Sequence, residues 1–197
     1  MAFLYRRNRS LHGRKTERGF TLLEIFIAVV ILAILVGLAM PMFRDVIRNT
    51  NVSNQTNDLV TALSIARSEA VRRGVRVAVV SDSGASDWSS GWRVIADRNG
   101  DGVYELNPAA APGADEVISR TAATGAQYRV YAKAAAGADN RIVFNANGAL
   151  ATTGFDINIC YPTGDASKSR RVRVRASGSV SSHKNTSGSS ATACTST

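Results

Sequence analysis

The spacing of apolar residues divides the chain into three stretches. From Phe20 to Met40 every position is apolar except Thr21 and Glu24. A helix of that length reaches about 30 Å, the thickness of a bilayer core, and no proline interrupts it before Pro41. From Met42 to about Arg73 the apolar positions thin out but keep a helical period. Leu59, Leu63, Ala66 and Ala70 recur at intervals of three and four, while Arg67, Arg72 and Arg73 fall off that stripe. Gly74 stands where a helix-ending residue belongs. The spacing therefore predicts one helix running through Pro41, its second half laid on a globular domain.

Beyond Gly74 the period shortens to that of strands. Val75–Val80 and Gly91–Asp97 read as strands around a turn-rich Ser81–Ser90, and Val103–Leu106 as a short strand after the Asn99–Gly102 turn. Pro108–Asp115 reads as loop. Glu116–Arg120, Gln127–Ala132, Arg141–Asn145, Asp156–Tyr161 and Arg171–Ala176 complete an expected antiparallel meander. Ser181–Thr197 is so rich in Ser, Thr and Gly that it reads as a loose tail, held only by Cys194.

Composition narrows the function. With 45% apolar and 20% charged residues most of the chain is able to fold, and 197 residues suit one domain with an appendage. The two histidines, His12 in the basic N-terminal tract and His183 near the tail, argue against a His-based metal site or a Ser/His or Cys/His catalytic pair in the core. Of the net +9, residues 1–19 carry +5, with six cations against Glu17. The rest is mildly basic, so overall charge argues little for nucleic acid.

That basic flank before the apolar run places residues 1–19 in the cytoplasm and the remainder outside by the positive-inside rule. A secretory signal could be cut at Gly37-Leu38-Ala39, but its apolar core is shorter. A plain anchor explains the length and leaves Glu24 unexplained, since a carboxylate in hydrocarbon costs about 3 kcal/mol and asks for a partner. The string Arg18-Gly19-Phe20-Thr21-Leu22-Leu23-Glu24 resembles the signal of type IV prepilins and type II secretion pseudopilins. The resemblance implies cleavage between Gly19 and Phe20 by prepilin peptidase, N-methylation of Phe20, and pairing of Glu24 with the N-terminal amine of a neighbouring subunit. Two charges that are costly alone in lipid are tolerable together, which sets subunit register. The run Leu63–Gly74 with Val75–Val80, and Gly91-Trp92-Arg93-Val94-Ile95-Ala96-Asp97, are similar to the GspH/FimT family of minor pilins and pseudopilins.

Three other groups stand out. Cys160 and Cys194 are the only cysteines, in a segment placed outside the cytoplasm, so a structural disulfide is expected rather than two free thiols. Asp97-Arg98-Asn99-Gly100-Asp101-Gly102 matches the first half of an EF-hand loop, with Asp97, Asn99 and Asp101 as candidate calcium ligands. Pro108 occupies the position of the closing Glu, so the favoured reading is a turn with no metal. Lys168, Arg170, Arg171, Arg173 and Arg175 form a basic ridge suited to DNA or to an acidic partner subunit. In a strand Arg171, Arg173 and Arg175 share one face and Val172 and Val174 the other. FimT-type pilins bind DNA through a Gly-Arg-x-Arg motif; Gly178-Ser179-Val180-Ser181 has serines in place of those arginines.

The expectation is thus an α+β, type IV pilin-like fold: a long N-terminal helix, membrane-embedded in its first half, packed on an antiparallel sheet. It divides into a cleaved leader (1–19), a transmembrane or filament-core segment (20–41), the second half of the helix (42–74), a β domain (75–180) and a tethered tail (181–197). The resemblance implies a minor subunit at or near the tip of a type IV pilus or type II secretion pseudopilus, helping to start assembly; DNA capture is the alternative. Other pilins or pseudopilins, prepilin peptidase and an inner-membrane assembly platform are the expected partners, with DNA the partner on the alternative reading. The expected location is the inner membrane, single-pass with the C-terminal domain periplasmic, and then the filament. No cofactor and no enzymatic activity are expected.

Overall fold

The computed structural model describes residues 19–105, 114–125, 128–134, 139–161, 165–184 and 194. The chain forms two compact units, Met1–Phe43 and Arg44–Thr197, and one helix, α1 (Leu22–Arg73), contributes to both. In the first unit, the apolar residues are exposed, Phe20 just before α1 to 78% and Leu22 within it to 87%. With a mean hydropathy of 3.0 over its most apolar window, this helix is long and apolar enough to cross a membrane. The helix continues through Pro41, whose missing amide removes one backbone hydrogen bond from the turn before it.

In the second unit the stripe expected from sequence is the buried one. Leu59, Leu63, Ala66 and Ala70 are all 0% exposed, and Gly74 ends the helix in the left-handed region, φ 69°. The stripe packs on two four-stranded antiparallel sheets. The first has the order β3-β2-β1-β5, from β1 (Val77–Ser81), β2 (Trp92–Ala96), β3 (Glu116–Thr121) and β5 (Arg141–Phe144). The second has the order β4-β6-β7-β8, from β4 (Arg129–Ala134), β6 (Gly154–Cys160), β7 (Arg170–Arg175) and β8 (Val180–Lys184). Val77, Val79, Trp92, Val94, Ile142 and Phe144 of the first and Val130, Ile157, Ile159, Val172 and Val174 of the second share one core with α1.

Two sheets therefore replace the single meander the sequence suggested. The reason lies in pairing at a distance: β1 takes β5 as its second neighbour, with Val77 opposite Phe144, and β4 takes β6, with Arg129 opposite Cys160. Two further corrections concern single elements. Val103, Tyr104 and Glu105 form no strand, because Tyr104 turns back to cover Ala78, Val80 and Ile95 on the outer face of the first sheet. The start of the supposed tail is a strand, β8, paired along β7 with Val174 opposite Val180 and Arg170 opposite Lys184.

Candidate functional site

At the N-terminal end, Gly19, Phe20 and Thr21 precede the helix and remain exposed. Thr21 caps it: its hydroxyl oxygen accepts the Glu24 amide at 3.2 Å, and its carbonyl accepts the amides of Glu24 at 3.1 Å and Ile25 at 3.3 Å. Thr-x-x-Glu is the residue pattern of a capping box. It also puts the carboxylate in the first helical turn, where the helix dipole favours negative charge. The same four residues thus start the helix and hold an acid at its apolar end.

In the second unit a carboxylate near the start of that unit's helical stretch is claimed by the sheet. Asp45 accepts hydrogen bonds from the Tyr161 hydroxyl at 3.1 Å and the Lys168 ammonium at 3.2 Å. The ammonium lies 5.0 Å from the Tyr161 ring centre. The Lys168 contact is the main reason the Asp45 carboxyl is held below its usual range; burial is the main cause pushing the Tyr161 phenol up. Arg170 donates to Ser53 at 3.2 Å. Two of the five ridge cations, Lys168 just before β7 and Arg170 on it, are therefore bonded to α1.

The other three fall as the alternation requires. Val172 and Val174 are fully buried, while Arg173 and Arg175 are exposed and Arg171 is half-buried. Arg173 grips Asp156 on β6 with two bonds of 2.8 and 2.9 Å. Register extends this face across the sheet. Lys133 lies opposite Asp156 and Asp156 opposite Arg173; Tyr131 lies opposite Asn158, Asn158 opposite Arg171, and Arg171 opposite His183. Arg129, Tyr131 and Lys133 were missed by sequence reasoning. Their link to the ridge is a strand pairing between segments some 40 residues apart, although the alternation Arg129-Val130-Tyr131-Ala132-Lys133 already marked an outward face.

The disulfide joins Cys160 to Cys194, Cα–Cα 5.4 Å. Cys160 shares the outward parity of Asp156 and Asn158, so the bond fixes Cys194 to the outer face of the second sheet. By the chain-entropy account, closing a loop of 34 residues contributes about 3–4 kcal/mol.

The loop at Asp97 satisfies its acids from its own backbone. Asp97, 2% exposed, accepts the amides of Gly100 at 2.7 Å and Gly102 at 3.2 Å. Asn99 accepts the Asp101 amide at 3.1 Å and Asp101 the Val103 amide at 2.7 Å. These are turn-forming side-chain bonds. Pro108 falls outside the described residues. Among the described residues, no group of three or more His, Cys, Asp or Glu is placed to hold a metal. Asp115 is 3% exposed and accepts the Arg98 amide at 3.1 Å. Burial, then the facing Glu105 carboxyl, pushes Asp115 up to about 6.

Residues 55–178 match the family model described as Type II transport protein GspH, and residues 14–40 match the prokaryotic N-terminal methylation motif. Fimbrial proteins from Pseudomonas aeruginosa are 35% identical over 63 residues, 32% of this chain and 40% of theirs. The match thus spans less than half of those relatives. The crystal structure of the type IV minor pilin FimU from Pseudomonas aeruginosa superposes with a TM-score of 0.50 at 22% identity, covering 66% of this chain and 91% of that one. The minor pseudopilin EpsH from the type II secretion system of Vibrio cholerae gives 0.49 at 12% identity, covering 72% and 99%. A long N-terminal helix packed on antiparallel sheets is the arrangement shared with FimU. By the extent of its match, the chain belongs to the GspH family of pilin-like structural subunits.

Proposed function

We propose that this chain is a minor pilin or pseudopilin. It is made as a membrane-anchored precursor, cut between Gly19 and Phe20, methylated on Phe20 and assembled through α1 into a type IV pilus or a type II secretion pseudopilus. It acts at or near the filament tip, where it helps to start assembly with other minor subunits on an inner-membrane platform. The observation that carries this reading is the first turn of α1. A Thr21-capped helix presents Glu24 at the head of an otherwise apolar, fully exposed segment. Such a surface needs lipid or other helices around it, and such a carboxylate needs a cation. The Phe20 amine of a neighbouring subunit supplies one after cleavage.

The test separates processing from assembly. Glu24→Ala is expected to be cut to the same length as the parent chain, yet to fall by about tenfold or more in the sheared filament fraction, the loss of one charge partner in a low-dielectric setting. Normal incorporation of that variant would sink the ion-pair mechanism.

Capture of DNA is a second reading, favoured by the outer face of the second sheet. Arg129, Lys133, Arg171, Arg173 and Arg175 share that face with one carboxylate, Asp156, and Tyr131 supplies a ring among them. Phosphate contacts make affinity fall steeply with salt. Replacing Arg171, Arg173 and Arg175 by Ala is then expected to abolish duplex binding and flatten its salt slope. Binding that is weak and independent of salt removes this reading.

A further inference from the structure

An open edge and a groove occur together at the end of the second sheet opposite the disulfide. The β7–β8 connection is a tight hairpin in which the Gly178 amide donates to Arg175, and the Arg175 amide donates to Ser179 at 3.0 Å. In an antiparallel ladder such bonded pairs alternate with non-bonded ones, so Val180 and Ser182 turn their amides and carbonyls away from β7. Among the described residues no strand pairs with that side of β8. Alongside lies a groove of about 670 Å³ whose other wall is α1. Val60 and Val180 are half-buried in it, and Val71 is 55% exposed. Its lining residues include Arg67 and Arg72 and no Asp or Glu. Arg67 reaches the Ser177 carbonyl at 3.3 Å, and Arg72 is bonded to Glu69.

We propose that this groove is a strand-addition site. It takes an extended, acidic segment of another filament subunit, which pairs with Val180 and Ser182 as a fifth strand. Alternate side chains of an added strand point to opposite faces. One set would therefore drop onto Val60 and Val71, and a carboxylate in that set would reach Arg67. Charge selects the partner: Arg67 in the wall, and a chain still at +4 once the +5 of residues 1–19 is removed from +9, disfavour a second copy of this protein. The two described anchors of the chain's own tail lie elsewhere. Lys184 pairs with Arg170, which pairs with Ile159, so Lys184 and the Cys194 anchor on Cys160 both lie at the far end of the sheet from Val180.

The inference rests on the filament reading above, and the test keeps the two apart. A photo-crosslinking amino acid is placed at Ser68 in the groove and, as a control, at Asn99 in the loop beyond the first sheet, in the full chain expressed in cells. Crosslinked peptides from the sheared filament fraction are then sequenced by mass spectrometry. The expected result is a crosslink from Ser68, but not from Asn99, to an extended segment of another subunit that carries Asp or Glu. That crosslink should be lost in Ser182→Pro, which removes an outward amide from an edge strand without breaking a bond to β7, while the chain still enters filaments. A chain present in filaments with no crosslink from Ser68 overturns the site. So does a crosslink to a helical or basic segment, or to this chain's own tail, or one that persists in Ser182→Pro. A chain absent from filaments overturns the filament reading and, with it, this one.

Discussion

The two sheets have the same strand count, the same antiparallel pairing and a shared core, yet their outer faces are opposites. On the first, Ala78, Val80 and Ile95 form a second small apolar cluster, closed by Tyr104 and flanked by the buried Asp97 and Asp115. On the second, the outer face is Arg, Lys, Asp, Asn and Tyr. Its strands carry seven cations to one carboxylate, against three to one on the first. The strand sequences show why. Val77-Ala78-Val79-Val80 is apolar at every position and is buried at every position, as a strand covered on both faces must be. Arg171-Val172-Arg173-Val174-Arg175 alternates, so only one face can go inside. The first sheet buries part of its outer face under Tyr104, beside Arg93, Arg120 and Arg141; the second keeps its outer face polar and charged.

The largest expected effect lies where the second sheet meets the rest of the core. Gly178 ends the β7–β8 turn at φ 77°, and a Cβ there would fall on the Gly148 carbonyl oxygen. Gly178→Ala combines left-handed strain with a backbone clash and is expected to cost roughly 4 kcal/mol. Gly100→Ala, in the loop beyond the first sheet, has similar φ at 75° but open space around it. It should cost only about 1–2 kcal/mol. Denaturant unfolding of the detergent-solubilised chain, followed by the buried Trp88 and Trp92, measures both. Equal losses would mean that the two turns are equally free and that the hairpin is not wedged against its neighbour.

How much of this was legible in the sequence depends on the distance over which each feature is decided. The Leu59–Ala70 stripe and the alternation of β7 are local patterns, and both read correctly. The division into two sheets did not read, because Val77 choosing Phe144 is a choice between segments far apart, decided by the shared core. β8 was hidden for a different reason. Val-Ser-Ser-His-Lys has little strand character of its own, and its half-exposed edge position asks for little. The Asp45–Tyr161–Lys168 contact joins residues 116 and 123 positions apart, and no spacing rule reaches that far. Likewise no spacing rule announces the facing of Glu105 and Asp115.

That facing pair sharpens the comparison through pH. Asp115 sits at about 6 in the folded protein against an ordinary 3.8, chiefly because it is buried and then because Glu105 faces it. A carboxyl raised on folding holds its proton more tightly in the native state. Its contribution is therefore complete below about pH 4 and lost as pH rises through about 6. The cover of the first sheet should loosen over that window, by about 1–3 kcal/mol, while the second sheet, remote from Asp115, should not. Asp115→Asn is expected to flatten the fall in unfolding free energy between pH 4 and 7. Hydrogen exchange should show the change at β2 and β3 and not at β6 and β7. Identical pH slopes for parent and variant would remove Asp115 as the cause.

The smallest effect belongs to the charged pair in the middle of the second sheet's outer face. Arg173 and Asp156 make two good bonds, and the pair holds the arginine above its usual range. Their side chains nevertheless remain 46% and 33% exposed, so water competes for both. Pairs in that setting are worth about 0.2–1 kcal/mol. Arg173→Ala is accordingly expected to move stability by no more than about 1 kcal/mol, and raising the salt concentration should shrink even that difference. Such a result would mean that the face carries its charge for encounter with partners and contributes little to folding, unlike the buried acids of the first sheet. A loss of several kcal/mol that survives high salt would mean the reverse: the ridge would be part of the fold, and Arg173 a poor probe of any partner's docking there.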